Sequence, residues 1–179
     1  MSIIETDRLV LRPLTEEDDG FILKLLNEPS FLEFIGDKGV RTLEDARRYI
    51  VTGPMDSYRR HRFGLLLVQL KETGAPIGIC GLIKRDYLQD KDIGFAFLPE
   101  CCSKGYATES ARAVLQWGVT NIGLQRVAAI TQANNHLSIR VLEKLGLRFE
   151  DFVTVPGEKD RLLLYACSLD SPSTSKKDS

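Results

Sequence analysis

The sequence predicts a single α/β domain of the α+β kind, with a mixed, mostly antiparallel sheet of about seven strands flanked by about four helices. Three observations lead there. The 179 residues suit one domain when ~150 residues per domain is the guide. The first half carries apolar runs separated by hairpin-sized turns, as antiparallel strands do. The second half alternates strand-like and helix-like periods. No internal repeat is visible, and the mixed order excludes a doubly wound fold.

The elements follow in order. Arg8 to Leu14 reads as a strand, with Leu9 and Leu11 on one face and Val10 among arginines on the other. Thr15-Glu-Glu-Asp18 offers an N-cap with an acid at the third helical position, ahead of Phe21, Ile22, Leu25 and Leu26 at helical spacing. Pro29 stops that helix, because the residue before proline is pushed out of the helical region. Residues 30–41 read as an irregular loop, and Thr42-Leu-Glu-Asp45 opens a second helix reaching the region of Arg59. Phe63 to Leu70 is a continuous apolar run, as in a strand buried on both faces. Lys71 to Gly74 turns the chain into a strand from Pro76 to Lys84, and Asp92 to Leu98 is another. Gly105 to Ile122 is a long helix with an apolar stripe through Ala111, Val114, Leu115 and Gly118. Arg126 to Thr131 returns to strand and Asn135 to Leu145 to helix, ended by Gly146. Leu147 to Val155 and Arg161 to Leu169 are the last strands. The domain thus spans 1–169, and the serine- and lysine-rich tail 170–179 is too polar to pack and is expected to be disordered.

Composition narrows the function. Apolar residues make up 43%, charged residues 27%, and the net charge is -1, an ordinary globular balance. There is no basic excess for a run of phosphates, which argues against nucleic acid as partner. The segment starting MSIIETDRLVLRPL carries early acids and no long apolar run, so it reads as no signal peptide, and no stretch is long enough for a membrane span. Cys80, Cys101, Cys102 and Cys167 form no CxxC pair, and His61 and His136 stand far apart, so no zinc site is expected. Free thiols and a cytoplasmic location are the expectation.

The segment with chemical content runs from Asp92 through Thr108. A strand ends at Pro99, a short loop follows, and Gly105 stands where a long helix begins. Backbone N–H groups and the positive end of the helix dipole then converge on one point, a site suited to a phosphate or pyrophosphate. An ordinary strand–loop–helix connection has the same outline. It is neither a Walker loop nor a dinucleotide fingerprint, since GK[ST] and GxGxxG are both missing.

These residues resemble a known family. Cys102-Ser-Lys-Gly105-Tyr-Ala107 resembles the acyl-CoA loop Gln/Arg-x-x-Gly-x-Gly/Ala of the GNAT-type N-acetyltransferases. Thr108-Glu109-Ser110 continues it like the GYATEA string of the Rim-type, ribosomal-protein branch. Thr6-Asp-Arg8-Leu-Val-Leu-Arg12-Pro-Leu is similar to that branch's opening TxRLxLRPL strand, and Asp92-Ile-Gly-Phe to its EIGY strand. Asn135-His-Leu-Ser138 through Gly146 is similar to its NxxSxxxxEKxGF helix. The resemblance covers about residues 4 to 168, in the family's order.

It implies a GNAT domain that binds acetyl-CoA, uses no metal, and acetylates an amine by direct attack in a ternary complex. Ser103, Lys104, Gly105, Tyr106, Ala107 and Thr108 would bind the pyrophosphate, and the backbone of Phe95, Ala96, Phe97 and Leu98 would pair with the pantetheine arm. Asn135 would both cap its helix and touch the cofactor. Where many relatives carry a tyrosine proton donor this chain has Leu142, so Ser138 becomes the candidate donor to the leaving thiolate; Asp92 is the candidate base. Cys102 and Ser103 also depart from the family pattern. Phe31, Glu33 and Phe34 are candidates to line the acceptor pocket, although phenylalanines in a loop also serve as core anchors. The implied acceptor is the α-amine of a protein or peptide N-terminus. A small amine (amino acid, polyamine or antibiotic) or a non-catalytic acyl-CoA-binding role remain the alternatives. A monomer or homodimer is expected.

Overall fold

In the computed structural model, residues 2–157 and 160–169 are described; the tail from 170, expected to be disordered, lies outside them. Fourteen α and β elements follow in chain order: β1 (Ile4–Glu5), β2 (Leu9–Pro13), α1 (Asp19–Leu26), α2 (Pro29–Phe34), α3 (Leu43–Ile50), α4 (Asp56–His61), β3 (Leu65–Leu70), β4 (Pro76–Ile83), β5 (Lys91–Phe97), α5 (Tyr106–Ile122), β6 (Arg126–Thr131), α6 (His136–Lys144), β7 (Arg148–Thr154) and β8 (Arg161–Ser168). The described strands form one eight-stranded sheet in the order β1-β2-β3-β4-β5-β6-β8-β7. Every neighbouring pair is antiparallel except β5 and β6.

Two cores lie on opposite faces of the sheet. Leu66 and Val68 join the cluster under α5 and α6, with Leu11, Leu82, Ile93, Val114 and Leu142. Their neighbour Leu67 joins the cluster under α1, α2 and α3, with Ile22, Leu25, Phe31, Ala46 and Ile50. Successive residues of a strand face opposite ways, so β3 is buried on both sides over Leu66, Leu67 and Val68, and the apolar run there follows. β3 and β4 also approach closely: a Cβ on Gly81 would stand 2.1 Å from the Gly64 carbonyl oxygen.

The helices differ from expectation in two places. Residues 30–41 are not wholly irregular, because α2 occupies Pro29–Phe34. Pro29 both ends α1 and opens α2, where its missing N–H costs nothing at a first helical position; its role as a stop had hidden its role as a start. The expected second helix is α3 and α4 joined by a wider, π-helical turn over Val51–Met55. Pro54 lies within that turn, where it removes one donor and crowds the preceding carbonyl, so the ladder shifts instead of breaking. The capping signals hold. Thr42 Oγ1 accepts from Asp45 N–H at 3.1 Å and Asp45 Oδ2 from Thr42 N–H at 3.1 Å. Asp18 accepts from Thr15 N–H at 2.8 Å and also receives both Arg12 Nη atoms, at 2.9 and 2.8 Å, which fastens β2 to the start of α1. The two-residue β1 was not expected.

Candidate active site

The parallel pair β5–β6 creates the opening. The two strands are in register only at Lys91–Val127 and Asp92–Ala128. Beyond Asp92, β5 continues against β4 alone, and β6 against β8 alone. A wedge therefore opens towards the C-terminal ends of both strands. Leu98 N–H donates to Ile77 O at 2.9 Å, and backbone groups alternate sides along a strand. Ala96 and Leu98 thus turn their amides to β4, while Phe95 and Phe97 turn theirs to the wedge. Of the four residues named for the pantetheine arm, two present their backbone there.

The loop at the open end of the wedge is tightly built. Cys101 N–H donates to Leu98 O at 2.9 Å and Cys102 N–H to Pro99 O at 3.1 Å. Ser103 then adopts φ +60° and Gly105 φ +84°, two left-handed residues that swing the chain into α5. Gly105 tolerates this freely; Ser103 adopts it at some steric cost. The bond from Glu109 N–H to Gly105 O, at 3.0 Å, begins the α5 ladder. The amides of Tyr106, Ala107 and Thr108 precede it, at the helix's open, positive end.

Arg8, not anticipated as a site residue, supports this loop. Its Nη1 donates to Lys104 O at 3.0 Å, its Nε to Glu109 Oε2 at 2.7 Å, and its guanidinium lies 4.6 Å from the centre of the Tyr106 ring. Thr6 Oγ1 donates to Glu109 Oε1 at 2.6 Å. The TxR segment and the GYATE segment, about a hundred residues apart, thus bind each other. Burial pushes the Glu109 carboxyl up, but hydrogen bonds from Thr6 and Arg8 outweigh it and hold it below the usual range.

At the closed end of the wedge, Asp92 is 1% exposed and accepts from Arg85 Nε at 2.5 Å. Arg85 also donates to the Tyr87 hydroxyl at 3.1 Å. Burial raises the Asp92 pKa to about 6 against the opposing pull of Arg85 and the Ile130 amide. Arg85 was not singled out from sequence; it follows β4 by two residues, where Ile83 already pairs with Asp92. A groove of about 570 Å³ lined by Ile83, Lys84, Arg85, Asp86, Tyr87 and Pro156 opens beside this pair.

Asn135 and Ser138 lie just past the C-terminal end of β6, beside the wedge. The Asn135 side chain accepts from Ser138 N–H at 3.2 Å, the expected cap, and Ser138 is half-buried in the first turn of α6. Leu142 is buried in the core and has no access to a thiolate. Gln132, also unanticipated, donates its side-chain amide to Glu33 O at 3.0 Å, tying α2 to the end of β6. Phe31 is 5% exposed and anchors α2 to the core. All four cysteines are free. Among the described residues no group of three or more His, Cys, Asp and Glu is placed to hold a metal ion, and no helix is long and apolar enough to cross a membrane.

Comparison with known proteins agrees with this geometry. The acetyltransferase (GNAT) domain family matches residues 8–148. The uncharacterized N-acetyltransferase YnaD of Bacillus subtilis (strain 168) is 30% identical over 149 residues, 83% of this chain and 84% of its own. RimL, an alpha-N-protein acetyltransferase of a ribosomal protein, solved in complex with coenzyme A, superposes with a TM-score of 0.82 over 96% of this chain and 100% of its own, at 16% identity. The aminoglycoside acetyltransferase AAC(6')-Ib, also in complex with coenzyme A, gives a TM-score of 0.71 over 89% and 94% of the two chains, at 20% identity. A wedge between two parallel strands, closed by a glycine-led helix start, and a family match over most of the chain give one conclusion: this protein belongs to the GNAT acetyltransferase family.

Proposed function

We propose that the protein transfers an acetyl group from acetyl-CoA to a primary amine, the α-amine of a protein or peptide N-terminus, and that it belongs to the Rim-type branch. The observation that carries the donor is the continuity of the wedge with the open start of α5. The amides of Tyr106, Ala107 and Thr108, with Ser103, Lys104 and Gly105 around them, suit a pyrophosphate. The unpaired edge of β5, through Phe95 and Phe97, suits an amide-bearing chain added as a further strand. Ala96, Leu98 and Asn135 complete the walls. Acetyl-CoA supplies the acyl group in activated form, as a thioester.

The chain's own residues then have three tasks. The β5 edge holds the donor in line with the acceptor, which lowers the entropic part of the barrier. Asp92, reached through a water, takes the proton released when the amine forms its new N–C bond. The Ser138 hydroxyl donates a proton to the sulfur as the C–S bond breaks. Asp92 is a buried and modest base, which suits an α-amine with a pKa near 8 better than a lysine near 10.4.

Thiol release with acetyl-CoA and mixed acceptors tests this. Turnover is expected with a peptide bearing a free N-terminus and not with its N-acetylated counterpart. Turnover with small amines alone would overturn the acceptor and leave the donor standing. Acetyl-CoA binding without release for any amine would mean a non-catalytic binding module.

A further inference from the structure

The face of the sheet that α3 covers also carries the candidate base. Ile93 and Phe97 belong to the core under α5, so their strand neighbours Asp92 and Ala96 point the other way, and Ala96 packs against the core under α1, α2 and α3. Tyr49, in the last turn of α3, packs against that same core. It stands close enough to Arg85 for the guanidinium to favour the phenolate, but burial outweighs this and holds the phenol above its usual range. Tyr49 therefore brings a neutral hydroxyl to the neighbourhood of the Arg85–Asp92 pair.

Two donors are unspent there. Arg85 gives its Nε to Asp92 and its Nη1 to the Tyr87 hydroxyl, and among the described residues its Nη2 has no partner. The Tyr49 hydroxyl has none either. Because no fully buried side-chain oxygen among those residues lacks a partner, that hydroxyl keeps contact with solvent. Tyr58 shows the contrast: its hydroxyl accepts from Leu14 N–H and donates to Leu65 O, as a tyrosine packed in a core ordinarily does. The Arg85 charge is already answered by Asp92, so the two free donors suit a neutral carbonyl oxygen better than a carboxylate. In a peptide N-terminus such a carbonyl lies two bonds from the amine, whereas a lysine side chain or a polyamine has no oxygen there. Resting on the acceptor reading above, we propose that Tyr49 Oη and Arg85 Nη2 hold the first carbonyl oxygen of an N-terminal peptide, and that this contact selects α-amines over side-chain and simple amines.

Thiol release from acetyl-CoA by the full chain tests the assignment, with two acceptors. One is a peptide with a free N-terminus; the other is the same peptide with its first peptide bond replaced by a trans alkene, which keeps the shape and removes the oxygen. The unaltered protein is expected to show a kcat/KM at least about tenfold higher for the peptide, because a site built to bond a substrate group discriminates against an analogue without it. Tyr49→Phe removes only a hydroxyl that has no bond within the protein, so its melting temperature should not change. Its preference for the peptide should fall about three- to tenfold, through a raised KM for the peptide. Equal kcat/KM of the unaltered protein for both acceptors would overturn the proposal while leaving the N-terminal acceptor reading intact. So would a Tyr49→Phe variant that weakens both acceptors alike. Turnover of neither acceptor would overturn the acceptor reading itself, and the proposal with it. The comparison on the unaltered protein decides the matter even if the variant does not fold.

Discussion

Two glycines at opposite ends of α5 form a matched experiment. Gly105 opens the helix at φ +84°, ψ -1° and Gly123 closes it at φ +62°, ψ +36°. A Cβ on Gly123 would meet no atom within 4 Å, whereas one on Gly105 would stand 3.2 Å from Arg8 Nη2. Gly123→Ala therefore adds little beyond left-handed strain, about 1 kcal/mol. Gly105→Ala enters a less favourable part of the left-handed region and also presses on a guanidinium already held by Glu109 and Lys104 O. About 2 kcal/mol is expected there. For a chain of this length 1 kcal/mol moves the melting temperature by about 2–4 °C, so shifts of roughly 2–4 °C and 4–8 °C should separate the two by thermal melting. The functional contrast is larger. Displacing the amides at the start of α5 forfeits one or two hydrogen bonds to a charged group, about ten- to a hundredfold in acetyl-CoA affinity, while Gly123→Ala should leave that affinity unchanged. If titration with acetyl-CoA gave the same affinity for both variants, the assignment of the loop at Gly105 to the donor would be refuted.

The other predictions concern the wedge and the sheet. With the Asp92 pKa raised to about 6, kcat/KM should fall as pH drops through 6, and Asp92→Asn should remove that limb from the pH–rate profile; an unchanged limb would mean another base. The same shift has a stability sign: a carboxyl raised in the folded state contributes stability that is full below about 4 and lost as pH rises through about 6, so acid melting of Asp92→Asn should lack that component. Ser138→Ala should lower kcat about 100-fold or more with little change in melting, because the Asn135 cap uses the Ser138 amide, not its hydroxyl. Asn135→Ala should instead cost about 1 kcal/mol of stability. Gly81→Ala would drive a Cβ into the Gly64 carbonyl and the Leu65 Cα, at 2.1 and 2.7 Å, where backbone has nowhere to move. It should cost about 3 kcal/mol or more and yield little folded protein on expression.

Local signals were the legible ones. Thr42 and Asp45 form the expected cap, Gly146 ends α6 at φ +91°, and β6 runs from Arg126 to Thr131 as its pattern indicates. β1 was not legible, because two residues carry no period. α2 was missed because its signal, Pro29, is ambiguous: the same ring that ends one helix suits the first position of another. Within the candidate site, the turn at Gly105 and the cap at Asn135 were readable because both depend on neighbours in the chain. The Leu98 and Ala96 amides were not, since which residues of β5 face the wedge depends on its pairing with β4.

By itself, the sequence determined the class of fold, the family, and the order of the strands and helices along the chain apart from β1, α2 and the division between α3 and α4. Each of these rests on period, caps or motifs carried within a few residues. Tertiary structure alone decided that β5 and β6 part after two pairs, that Arg85 sits on Asp92, and that Arg8 holds Glu109 from the far end of the chain. An ion pair or a strand separation has no local signature, because its energy arises only when distant segments meet in a partly dry environment. That is why the ion pair on the candidate base and the support of the loop became visible only in three dimensions.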